Sequence, residues 1–291
     1  MKKIFYGIFV SLFLALSLVA CSNEEKKIEA TTEQTKEVDL GIRHISFGKG
    51  DKQMIVVPGL SLGFVTDNAE GLENAFATFT EEYTVHVFDV REEVPENYTL
   101  EQMGEDLATT MKSLGLEHTY MYGCSMGGMQ CIYIAGKYPE LVDKVVVASS
   151  ACKANETSNK VISNWIQLAK DGKGHELTDD FGKLVYSKAA YEAQKEGLAA
   201  MADGLTEETL QRFANTANAI IDMDLSEEAA SIQCPILVMG GEGDKVLTPA
   251  GSHEIAEITG GEIYMYGEDA PHAVYDEAPD FKDRVFSFFE K

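Results

Sequence analysis

The stretch YGCSMGGMQC, residues 122–131, sets one serine among three glycines. Glycine weakens the interior of any helix or strand. A chain that places Gly123, Gly127 and Gly128 around Ser125 is therefore building something other than a regular element. A flexible turn would account for them, and so would a sharp corner that holds Ser125 out as a nucleophile. The flanks decide between the two. HTYMYG (118–123) is a short apolar run of strand character, and MGGMQCIYIAGKYP (126–139) reads as a helix stopped before Pro139. The five residues 123–127 thus form G-x-S-x-G between a predicted strand and a predicted helix, the context that a nucleophile elbow requires. Large side chains two residues before or after the serine would clash in so tight a turn, and the hydroxyl emerges at the carboxyl end of the strand.

Outward from that corner the chain alternates. TVHVFDV (84–90), KVVVASS (144–150), PILVMGG (235–241) and EIYMYG (262–267) read as strands. TLEQMGEDLATTMKSLG (99–115) reads as a helix, capped by Thr99 with Gln102 three residues on and ended by glycine. Two more helices are expected over 250–259 and 278–290. Near the start, IRHISFG (42–48) and QMIVVPG (53–59) flank KGDK and read as a hairpin at a sheet edge. Apolar strands separated by helices imply an α/β fold, a mostly parallel sheet covered by helices on both faces. Residues 152–230 break the rhythm, with helical stretches such as NKVISNWIQLAK and TEETLQRFANTANAII and no strand. They read as a helical cap inserted between two strands.

A serine hydroxyl needs a base. Of six histidines, His44 and His86 sit in strand patterns, His118 opens a strand, His175 lies in a polar loop, and His253 is on a charged helix. His272 alone falls in a loop after the last strand, at the sheet edge where Ser125 emerges. The base in turn needs a carboxylate to fix its tautomer. Asp244 follows the strand PILVMGG on the same edge, with Glu242 its nearest competitor. Asp269 and Asp276 flank His272 so closely that they read as solvated loop acids. The order Ser125, Asp244, His272 is the order of α/β-hydrolase triads. Oxyanion donors are expected from the backbone N–H groups of Met126 and of Leu60, in the loop after MIVVPG, with Ser61 as a further hydroxyl. Trp165, Phe181 and Phe213 read either as core residues or as the lining of an acyl pocket.

With these motifs in place, the chain from residue 40 to 291 resembles a capped α/β-hydrolase. The resemblance is carried by VVPG, YGCSMGG, CPILVMGGEGD with Pro249 five residues on, and DAPHAVYDEAPDF; VFDVRE and YTLEQMGEDL also match the segment ahead of the elbow. It implies hydrolysis of an ester, thioester or amide, or acyl transfer, on a small-molecule acyl substrate and without a cofactor. The serine sets the chain apart from haloalkane dehalogenases, whose nucleophile is aspartate. Pro58-Gly59 stands where many relatives carry His-Gly, a departure in the loop that should supply the Leu60 donor. A non-catalytic binding lipoprotein of the same fold is the alternative from another class, but it would have no need for all three triad residues.

The amino terminus has the layout of a secretory signal: Lys2 and Lys3, then an uncharged apolar run over 4–20. Leu18-Val19-Ala20-Cys21 resembles the lipobox of bacterial lipoproteins, which implies cleavage after residue 20 and acylation of Cys21. Residues 21–38 are polar and charged and read as a tether to a membrane. The expected organisation is a signal at 1–20, a lipidated tether at 21–38 and one catalytic domain at 39–291. The chain carries 24 basic and 48 acidic residues, a formal net charge of −24. That excludes nucleic acid as a partner and leaves attachment to the membrane to the lipid on Cys21. Cys124, Cys131, Cys152 and Cys234 form no metal-binding spacing, and their pairing is open between disulfides and free thiols.

Overall fold

In a computed structural model the described residues run from 40 to 291, so the expected signal, the tether and Cys21 lie outside them. Seven strands form one sheet: β1 (Ile42–Gly48), β2 (Lys52–Val57), β3 (Tyr83–Arg91), β4 (Thr119–Cys124), β5 (Val142–Ala148), β6 (Ile236–Gly241) and β7 (Glu262–Tyr266). Their spatial order is β1-β3-β2-β4-β5-β6-β7, and every pairing except β1 with β3 is parallel. The middle strands β4 and β5 and the neighbouring β2 and β6 carry the continuous apolar runs of a sheet covered on both faces. Edge strand β7 leaves Ile263 and Tyr264 exposed.

The expected hairpin does not form. β1 pairs antiparallel with β3, residue Ile45 opposite Val87, and β3 lies between β1 and β2. The short connection between β1 and β2 crosses the entry to β3 at close range. Lys49 N–H donates to the Thr80 carbonyl at 2.9 Å, and a Cβ at Gly50 would stand 1.8 Å from the Glu82 backbone. Glycine at that crossing lets β3 slot in, which a local turn rule does not register.

The helix Leu100–Ser113 has the expected capping box, with Thr99 and Gln102 each bonded to the other's backbone. The helix Met126–Lys137 follows β4 directly and is buried at every position from Met126 to Ala135, so it lies within the core. Pro139 follows its end. The two helices expected over 250–259 and 278–290 are Thr248–Thr259 and Phe281–Phe289; the helix Ala69–Ala75 and the short helix Val274–Glu277 are additional to those expected.

Between β5 and β6 the chain is helical: Glu156–Lys170, Gly174–Val185, Lys188–Asp203 and Glu207–Asn218, then Ser226–Ser231. Antiparallel backbone bonds close the base of the first four. Ala154 N–H donates to Met223 (2.9 Å) and Leu225 N–H to Cys152 (2.7 Å), around a bridge between Lys153 and Asp224. Ser226–Ser231 lies past this neck and packs on the helix Met126–Lys137. Because β2, β4, β6 and β7 run parallel, the loops that follow them gather at one edge, where α/β sheets hold their ligands.

Candidate active site

Ser125 stands between the last residue of β4 and the first of the helix Met126–Lys137, at φ 52° and ψ −123°. Such left-handed backbone in a non-glycine residue costs on the order of 1–3 kcal/mol and persists only where the surroundings enforce it. Here they do. Ser125 N–H donates to the Ala148 carbonyl on β5 at 2.8 Å, and the Ser150 hydroxyl donates to the Ser125 carbonyl at 2.8 Å. The flanking glycines are sterically obligatory. A Cβ on Gly123 would lie 2.4 Å from the Gly127 oxygen, and one on Gly127 would lie 2.0 Å from that of Val57.

Asp244 and His272 come together although 28 residues separate them. His272 Nδ1 lies 2.8 Å from Asp244 Oδ2, and both side chains are almost wholly buried. The loops carrying them are tied to one another, since Gly243 N–H donates to the Ala270 carbonyl at 2.9 Å. The second oxygen of Asp244 accepts from the N–H groups of Val246 (2.7 Å) and Leu247 (3.2 Å). Burial works against charge on this carboxyl, but His272 and the two backbone donors outweigh it, holding Asp244 below the ordinary carboxylate range. The Tyr275 ring stands edge-on to the imidazole.

Ser125 and His272 open into one cavity, whose walls are otherwise apolar. Leu60, Val246 and Leu247 come from the sheet loops, and Ile162, Trp165, Phe181 and Val185 from the inserted helices. Trp165 and Phe181 therefore line the cavity, their rings 4.8 Å apart, with the indole N–H on Asp180 at 2.9 Å. Phe213 is fully buried and belongs to the core. Met126 faces an adjoining cavity together with Gly59 and Ser61. The Ser61 hydroxyl donates to the Gly63 carbonyl at 2.8 Å, so it is engaged in its own turn rather than offered to a substrate.

The competing residues are occupied elsewhere. Glu242 Oε1 meets His253 Nε2 at 3.1 Å, His118 meets Asp143, His175 meets Asp203, and His44 meets His86. Asp269 is exposed. Asp276 departs from the expected solvated acid: its Oδ2 is sealed from solvent without a hydrogen bond, and burial pushes the carboxyl up to about 6. All four described cysteines are free thiols. Burial pushes that of Cys124, next to the serine, up to about 12, which makes it a poor nucleophile. Among the described residues no cluster of His, Cys, Asp and Glu could hold a metal ion. No helix there is long and apolar enough to cross a membrane. Two polar side chains beside the site, Gln130 and Arg212, escaped the sequence reading. The available signal is the single amide within the buried stretch Met126–Ala135 of the helix that follows the elbow.

A sequence model of the family described as alpha/beta hydrolase fold matches residues 54–279. The chain belongs to that family and is an enzyme of that fold. It is 23% identical over 224 residues to 3-oxoadipate enol-lactonase 2 of Acinetobacter baylyi, covering 75% of this chain and 82% of the relative. Among solved structures it resembles MGS-M2, an alpha/beta hydrolase enzyme from a Medee basin deep-sea metagenome library. That match has a TM-score of 0.76 at 22% identity, over 86% of this chain and 94% of the other. The enol-lactonase of Burkholderia xenovorans LB400 superposes with a TM-score of 0.74 at 22% identity, over 86% and 96% of the two chains.

Proposed function

We propose that the protein is a serine hydrolase that cleaves a carboxylic ester, thioester or amide through an acyl-serine intermediate. The observation that carries this reading is the buried Asp244–His272 pair, 2.8 Å apart, opening into the same cavity as a serine in strained backbone. In the proposed reaction the Ser125 oxygen attacks the substrate carbonyl while His272 Nε2 takes its proton. Asp244 keeps the proton on Nδ1, so that Nε2 is free to act as base, and stabilises the imidazolium that forms. Backbone N–H groups of Met126 and Leu60 receive the oxyanion. His272 then returns the proton to the leaving group. Water, deprotonated by the same imidazole, attacks the acyl-serine; the bond to Ser125 Oγ breaks, the imidazolium returns its proton to that oxygen, and the acid leaves. The inserted helices act as a cap that keeps this chemistry in an apolar chamber.

The relatives named as enol-lactonases support the ester branch, since a lactone is a cyclic ester. A fluorophosphonate probe tests the reading directly. Labelling is expected on Ser125 and is expected to vanish in Ser125→Ala; a label that persists in that variant, or maps to Ser61 or Ser149, overturns it. We further propose that the enzyme is exported and held at the bacterial membrane by lipid on Cys21, on the strength of the Leu18–Cys21 sequence. Detergent partitioning that survives Cys21→Ala would refute the anchor.

A further inference from the structure

Gln130 and Arg212 line the same small cavity, and each carries a buried donor, Nε2 and Nε, with no hydrogen-bond partner among the described residues. A buried donor left without a partner is destabilising, and two on residues lining one space call for a common acceptor. They come from different parts of the fold. Gln130, only 3% exposed, is on the core helix that starts at the elbow, and Arg212 is on the inserted helix Glu207–Asn218.

Arg212 is held in place with no direct ion pair among the described residues. Its guanidinium lies 3.9 Å from the centre of the Phe64 ring, and that of Arg43 lies 3.7 Å from the same ring centre. Arg43 is committed to Asp67 and Glu92. Asp89 also lines the cavity, but its oxygens already accept from Val65 N–H, Thr66 N–H and the Thr66 hydroxyl. Asp89 thus balances charge nearby and leaves the Arg212 Nε–H open.

The cavity adjoins the candidate nucleophile. Consecutive residues of the same two segments line both spaces: Leu60 and Ser125 the apolar chamber, Gly59 and Met126 the polar one. A cationic donor and an amide donor converging on one small space match a carboxylate, whose two oxygens can take both bonds. We infer that Gln130 and Arg212 form a carboxylate-binding subsite beside Ser125, so that the preferred substrates are acyl compounds with a carboxylate a short chain away from the scissile carbonyl. This rests on the acyl-serine reading for its catalytic consequence, but not for binding.

Matched nitrophenyl esters of equal acyl length, the butyrate and the hemisuccinate, test it on the full-length protein. The wild type is expected to favour the hemisuccinate in kcat/KM. Arg212→Met and Gln130→Leu should each lower that ratio by about tenfold or more, because a site built to bond a polar group discriminates strongly by its presence. Arg212→Lys should lose less. A wild-type ratio at or below unity overturns the subsite, as does a parallel fall of both esters that leaves the ratio unchanged, the mark of a merely structural role. Calorimetric titration with succinate gives an answer independent of turnover. Binding that disappears in Arg212→Met supports the subsite even if fluorophosphonate fails to label Ser125, in which case only the acyl-serine reading falls. Labelling of Ser125 with no succinate binding overturns the subsite alone.

Discussion

The sheet loops and the inserted helices face the same chamber but are built differently. Ser125, Asp244 and His272 sit on loops tied to the sheet and to each other by backbone hydrogen bonds, and glycines forced by close approach leave those loops little freedom. The insertion meets the chamber with apolar side chains and is tethered at its neck by a few backbone pairs around Lys153 and Asp224. Its further ties include Ala273 N–H to the Val185 carbonyl (2.8 Å), Ser187 N–H to Glu277 (2.9 Å), and the side-chain amides of Asn215 to the Val94 carbonyl (2.9 Å) and of Asn155 to the Leu247 carbonyl (3.2 Å). Under the proposed mechanism, the contrast puts bond-breaking on the sheet loops and choice of substrate on the insertion. Substitutions in the first should fall on kcat, and those in the second on discrimination between substrates.

The largest expected effect tests the sheet side. Ser125→Ala should lower kcat by on the order of 10⁶, the loss typical of a triad serine, measured as ester turnover alongside probe labelling. Next comes the acid. Asp244→Asn should preserve the fold but favour the wrong imidazole tautomer and cost roughly 10⁴ in kcat. Glu242→Gln and Asp269→Asn should cost less than about tenfold, as ordinary loop changes do. Near-normal turnover in Asp244→Asn with collapse in Glu242→Gln would place the acid with the other histidine, His253, and break the comparison at its centre.

On the insertion side, Phe181→Leu should shift preference among acyl lengths rather than abolish turnover. A methylene in an apolar pocket is worth about 10–200-fold in discrimination, so a change of roughly tenfold in the ratio of octanoate to butyrate ester kcat/KM is expected. A uniform fall for all chain lengths would mean that Phe181 supports the fold and selects nothing.

The two regions also differed in how much of them the sequence disclosed. The parallel strands were readable because continuous apolar runs such as Val145–Val147 have little place except in a sheet covered on both faces. The positions of Ser125, Asp244 and His272 followed from strand polarity, which sends every such loop to one edge. The β1–β2 hairpin was misread because local pairing is only the commoner outcome, and a later strand, β3, took the place between. Arg212 was invisible for a related reason. Its helix carries ordinary polar residues, and the groups that give it meaning, Gln130 and Asp89, are brought near only by the tertiary fold. Asp276 looked like a solvated acid, yet the short helix Val274–Glu277 leaves its Oδ2 without access to water.

Asp276 supplies the smallest expected effect and the sharpest check that the sheet loops are not uniformly catalytic. Its segment is where the two regions meet, through Ala273 and Glu277. Burial raises the carboxyl from 3.8 to about 6, with Lys282 opposing the rise and Glu277 adding to it. The Lys282 ammonium is itself occupied, donating to the Tyr275 carbonyl at 2.6 Å. A carboxyl whose pKa is raised on folding holds its proton in the folded state after the unfolded chain has released it. Its contribution to stability is therefore full below about pH 4 and is lost as pH climbs through about 6. The total loss is about 3 kcal/mol. Asp276→Asn keeps the shape and cannot ionise, so its melting temperature relative to wild type should rise between pH 4 and pH 7 and then level off. Activity should change by less than about tenfold, because the group acts on folding and not on the reacting carbonyl. A flat difference in melting temperature across that range would show that Asp276 is solvated after all. A collapse of kcat at unchanged stability would instead move it into the catalytic set and erase the distinction between chemistry and scaffold on the sheet side.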